Sequence, residues 1–123
     1  MDQIETTILR NLLHNETFTR RVIPFLKKEY FQGGHKVVFE SMVDFVTKYN
    51  KLPTAEALSV EISEAGAVTE EDAGEVSSLL SEVQKYEPVD EQWLEDQTEK
   101  WCQDRAIYIA IIESIEVIDG KHK

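Results

Sequence analysis

The sequence predicts an all-α fold, a compact bundle of five or six helices that ends in one long protruding helix. Three observations carry this. Apolar residues recur three and four apart through most segments, the spacing that lines one face of an α-helix. No useful length of chain alternates apolar with polar residues, and no Asn-Gly or Asp-Gly turn sits between two such stretches. From Asp90 to Ile118 the chain runs twenty-nine residues without Gly or Pro.

The first element, Asp2 to Leu13, puts Ile4, Ile8 and Leu12 on one line with Leu9 and Leu13 beside it; Asp2 is a suitable cap, with Glu5 completing a capping box. His14 and Asn15 end it. A shorter helix starts at Glu16 or Thr17 and runs through Phe18, Val22 and Ile23 until Pro24 kinks or stops it. Phe25, Leu26, Tyr30 and Phe31 form an apolar connection to a break at Gly33 and Gly34. His35 to Tyr49 is the clearest helix of the first half and its expected central packing element, with Val38, Met42, Phe45, Val46 and Tyr49 on one face and Phe39 flanking. After a turn at Asn50 to Pro53, Thr54 caps a short helix that buries Leu58 and Ile62. Thr69, with Asp72 three residues on, starts another that reaches about Tyr86 through Ala73, Val76, Leu79, Leu80 and Val83.

The long helix opens with Asp90 as its cap and with Val89 and Leu94 at the two positions of a hydrophobic staple. At 1.5 Å per residue it would extend roughly 43 Å, whereas a domain of this length is about 35 Å across. Part of it must stick out. Up to Asp104 its apolar residues Trp93, Leu94, Trp101 and Cys102 make one stripe, as on a helix lying against a domain. From Ala106 to Ile118 it reads AIYIAIIESIEVI, too apolar for one stripe to hide. A second helix or a second subunit should cover Ile107, Tyr108, Ile111, Ile112, Ile115 and Ile118, the expected subunit interface.

Among the 123 residues 41% are apolar, enough for one domain with a real core. No apolar run is long enough to span a membrane, and the acidic start MDQIETT is unlike a signal peptide. The lone Cys102 fits a reducing cytoplasm. The net charge of −11 is unevenly placed: residues 55 to 99 hold fourteen acidic residues against one basic residue, Lys85. Because binding to DNA depends on Lys and Arg neutralising phosphates, direct nucleic-acid binding is not expected.

Nothing in the titratable residues marks an active site. His14, His35 and His122 are scattered, with no HExxH and no cysteine at ligand spacing, and read as surface or capping residues rather than metal ligands. Glu70, Glu71 and Asp72 suit the positive end of a helix. Gly33-Gly34 and Gly120-Lys121 lack the rest of a phosphate loop, so no nucleotide cofactor is expected. Trp93 and Trp101, eight apart, read as packing residues rather than a base-stacking platform. Arg20, Arg21, Lys27 and Lys28, the one basic concentration, read as a solvated face or a partner contact.

In order and spacing the chain resembles the N-terminal domain of DnaB-family replicative helicases, most closely those of T-even-type phages. The resemblance spans nearly the whole chain and rests on ILRNLL followed by HNETF, EYF at Glu29 to Phe31, the helix with Phe39 and Tyr49, LPT with Ala57 and Leu58, and the stretch from Trp93 and Leu94 through TEK at 98 to 100 to Gln103, Arg105 and Ala106. It implies a hexameric ATP-driven enzyme moving 5′ to 3′ on DNA in the host cytoplasm, with these domains forming a collar that docks the primase; a helicase loader is a further candidate partner. It also implies that the long helix is the first arm of a helical hairpin that pairs between subunits. The chain would then comprise a globular part, residues 1–88, and the first arm, residues 89–123, cut before the second arm and the RecA-like motor that would bind ATP and Mg. The domain alone would be no enzyme and would self-associate, most simply as a dimer. A free-standing acidic binding protein, such as a phage DNA mimic acting through the segment 55–99, is the alternative reading.

Overall fold

A computed structural model describes residues 3–66 and 68–120, which form six α-helices and two 3-10 turns with no strand. The helices are α1 (Gln3–His14), α2 (Glu16–Val22), α3 (Gly33–Tyr49), α4 (Ala55–Ala65), α5 (Glu70–Gln84) and α6 (Glu91–Ile118); the 3-10 turns, Ile23–Phe25 and Lys28–Tyr30, lie between α2 and α3. The fold is the expected all-α bundle with a long last helix.

Most helix starts follow from single side chains. Asn15 Oδ1 accepts the Phe18 N–H at 3.0 Å, Thr54 Oγ1 that of Ala57 at 3.0 Å, Thr69 Oγ1 that of Asp72 at 3.1 Å and Asp90 Oδ2 that of Trp93 at 2.9 Å. Each satisfies an N–H that the first helical turn leaves without an intrahelical partner, a contribution of about 1 kcal/mol apiece. The cap expected at Asp2 lies outside the described residues. Pro24 ends α2 as expected, its ring falling in the first 3-10 turn. Two helices stop on left-handed residues, α3 on Asn50 (φ 56°) and α4 on Gly66 (φ 65°).

α3 is a central packing element as expected, in contact with α1, α4, α5 and the second 3-10 turn, and α1 shares that place. α1 packs against α2, α3, α5 and α6, and its Ile8 and Leu9 are wholly buried. α3 contributes Val38, Phe39 and Met42 to the core, while α5 lays Val76, Leu79, Leu80 and Val83 across both. Phe31 stacks on Phe39 with centroids 4.6 Å apart and leans on Trp101 at 4.8 Å, joining the second 3-10 turn, α3 and α6 in one aromatic contact. Thr19, also buried, puts its hydroxyl 2.8 Å from both the Leu12 and Asn15 carbonyls and so closes the α1–α2 corner.

Several expectations need correction. Phe45 and Val46 are only half-buried and Tyr49 is exposed, because α3 outruns the helices beneath it and its last turn borders open space beside α4. Phe45 packs instead on Tyr49, four residues on, at 4.6 Å. Ala73 is exposed and α5 ends at Gln84, with Tyr86 outside the helix against the His14 ring. Val89 is exposed while Leu94 is fully buried, so only the second half of the expected staple belongs to the core.

Gly33 and Gly34 do not break the chain but form the first turn of α3. Gly33 has φ +56°, a conformation that glycine adopts without strain. Both glycines lie against Glu75 of α5: a Cβ on Gly34 would stand 2.8 Å from Glu75 Cγ. That closeness lets the Glu75 carboxylate reach the Gly34 N–H at 2.6 Å, capping α3 from another helix where Gln32 makes no side-chain cap.

Candidate association surface

α6 is built in two parts. Leu94, Thr98 and Trp101, at i, i+4 and i+7, form its buried row. Thr98 is tolerated there because its hydroxyl donates to the Leu94 carbonyl at 2.7 Å. Trp93 points away from that row and is 46% exposed, so of the two tryptophans only Trp101 is a core residue. The helix is tied down laterally by the Arg21–Glu95 ion pair and, farther along, by Arg105 Nε donating to the Tyr30 carbonyl at 2.9 Å. Cys102 is half-buried beside this seam, and burial pushes its thiol up to about 11.

Past Arg105 only Ile109 still packs on the bundle. Ile107, Tyr108, Ile111, Ile112, Ile115 and Ile118 are all exposed, from 39% at Ile112 to 80% at Ile118. At about 100° per residue they fall within an arc of roughly 140°, a continuous apolar strip on one side of the helix. Arg105 lies over the Tyr108 ring at 5.0 Å and marks the inner end of the strip. Ile109 departs from this pattern: it turns inward and packs on the core, the last residue of α6 to do so. Val117, 63% exposed on another side of the helix, was not singled out from the sequence. Its place on the helical wheel, beyond Glu113 and Glu116, was the available signal.

The other candidates are used structurally. His14 Nε2 lies 2.9 Å from the Val83 carbonyl and so carries the proton that it donates. His35 Nδ1 is 3.4 Å from Glu75, and His122 lies outside the described residues. Among the described residues no three His, Cys, Asp or Glu side chains are grouped to hold a metal ion, and no helix is long and apolar enough to cross a membrane. The basic residues serve as ties. Arg20 pairs with Glu16 at 2.8 Å and reaches the Asn50 carbonyl at 3.0 Å, Arg21 holds α6, and Lys28 lies 3.9 Å from Glu40.

No family model matches the chain. It is 32% identical over 111 residues to the DnaB-like replicative helicase of Enterobacteria phage T4. The aligned region is 89% of this chain and 23% of that protein, so the chain spans about a quarter of the length of the relative it matches.

Proposed function

We propose that this chain is the N-terminal collar domain of a hexameric, ATP-dependent replicative DNA helicase, serving subunit association and primase docking. The observation that carries the reading is the alignment itself, which takes in nearly all of this chain and only a segment of a replicative helicase. The exposed strip of α6 supports it, since apolar surface of this extent on a protruding helix marks an interaction site. In this reading the strip receives a second hairpin arm and a neighbouring subunit, while the motor, with its ATP and Mg, belongs to another domain. The bundle then holds α6 at a fixed angle and presents the rest of its surface to the primase and to a helicase loader.

The coding sequence tests this most directly: it should continue in frame into a segment with a GxxxxGK[ST] phosphate loop. A reading frame without such a motor would instead favour a free-standing acidic protein, the reading supported by the charge of residues 55–99. Such a protein would bind a basic partner with steep salt dependence.

A further inference from the structure

Where the last turns of α3 run past the helices beneath it, α3 and α4 leave an open cleft of about 370 Å³, at the small end of the range for ligand clefts. Its apolar lining is not closed over: Tyr49 is 45% exposed, and Phe45, Val37 and Val68 are half-buried. Phe45 and Tyr49 lie 4.6 Å apart with their ring planes at 47°, so each ring braces the other beside the opening. A cleft of this size takes one or two side chains rather than a helix.

Four charged side chains line the same cleft, and three are acidic: Glu40, Asp44 and Glu61 against Lys48. Glu40 lies 3.9 Å from Lys28. Asp44, one turn before Lys48, would be its natural i, i+4 partner, yet Lys48 sits instead with Nζ 5.3 Å from the centre of the Tyr49 ring. Among the described residues neither Asp44 nor Glu61 has a hydrogen bond or an ion pair. The cleft thus offers two uncommitted carboxylates, one from each wall, beside a ring that already attracts a cation. A planar guanidinium can pair with carboxylates and stack on an aromatic ring at once, which an ammonium cannot. We propose that the α3–α4 cleft receives an arginine side chain of a partner protein, paired with Asp44 and Glu61 and stacked on the Tyr49 ring in place of Lys48. The site is separate from the α6 strip and does not depend on the helicase reading.

The test titrates acetyl-Leu-Arg-Leu-amide into the whole chain and follows the backbone amide signals by NMR. Saturable shifts at Asp44, Tyr49 and Glu61 are expected, with a dissociation constant in the millimolar range or below. Asp44→Asn/Glu61→Gln should weaken binding about tenfold, the loss that goes with hydrogen bonds between charged groups. Tyr49→Ala should weaken it about threefold, and Lys48→Met, which removes the resident cation, should tighten it. Because Asp44 and Glu61 hold nothing else among the described residues, the fold should be unchanged, which circular dichroism checks. The same peptide with lysine should bind more weakly, and with citrulline, neutral but alike in shape, it should not bind. Equal binding by the citrulline peptide or by the double variant would overturn the proposal. So would shifts spread over the acidic surface of α4 and α5 instead of gathered at the cleft, or no saturable shift at all.

Discussion

Glu75 and Gly34, forty-one residues apart, meet at 2.6 Å, so α3 is capped by a carboxylate from α5. The contact requires glycine at position 34, because a Cβ there would stand 2.8 Å from Glu75 Cγ and 3.0 Å from its Cβ. Gly34→Ala should therefore cost about 1–3 kcal/mol through overpacking, although alanine is the better helix former. Adding Glu75→Ala removes the two shortest contacts, to Cγ and the carboxylate, and leaves the one to its Cβ, so the two losses should be less than additive. Urea midpoints of the two single variants and the double variant decide it; a Gly34→Ala protein as stable as the parent would mean that the two helices sit farther apart.

The aromatic residues of α3 should separate by depth. Phe39→Ala, which opens a cavity against Phe31, is expected to cost about 3–5 kcal/mol. Phe45→Ala, at a half-buried position beside Tyr49, should cost about 1–2 kcal/mol. Equal shifts in the denaturation midpoint would contradict this ordering.

Self-association through the α6 strip is expected in solution, most simply as a two-fold pair. Each large aliphatic side chain contributes about 1.5–3 kcal/mol when fully buried, and these start half-covered, so Ile111→Glu with Ile115→Glu should abolish the pair. Leu94, Thr98 and Trp101 are untouched by the change, and helicity should persist. Light scattering together with circular dichroism reads both parts; a double variant that still dimerises would assign the contact to another face.

Cys102 should resist alkylation. With its pKa raised to about 11 by burial, little thiolate is present at pH 8, and reaction with iodoacetamide should be much slower in the folded chain than in urea. The same shift makes the neutral thiol part of the folded state. Its contribution to stability is whole below pH 9, the unfolded value, and is lost as pH rises toward 11. Equal alkylation rates with and without urea would place the thiol in the open.

The chain by itself should neither hydrolyse ATP nor hold single-stranded DNA. It lacks a phosphate loop, and its net charge of −11 repels a polyanion. Micromolar binding to an oligonucleotide at physiological salt would contradict this.

What the sequence revealed was what local chemistry decides. The caps at Thr54, Thr69 and Asp90 and the turn at Pro24 depend on residues within a few positions of one another, and they stand where they were expected. The exposed strip of α6 was legible because six apolar side chains exceed what one buried face can take. Periodicity could not fix depth. Trp93 and Trp101 share a helix and a stripe by spacing, yet only Trp101 finds Tyr30 and Phe31 opposite it. Phe45 likewise has the right phase but is only half-covered, with Tyr49 of its own helix beside it. The Gly33-Gly34 pair read as a break because the reason for it, Glu75, lies on another helix.

Ile109 is the last point at which α6 rests on the bundle, and the nine residues from Ala110 to Ile118 extend about 13 Å beyond it. Mechanically this is a cantilever. Its stiffness comes from a hydrogen-bond ladder with no Pro or Gly to bend it, and its seat is the Leu94–Trp101 row with Arg105 and Ile109 holding its outer end. A force at the tip is therefore a torque about the seat. Because Trp101 leans on Phe31 and Phe31 stacks on Phe39, that seat is joined by aromatic contacts to α3.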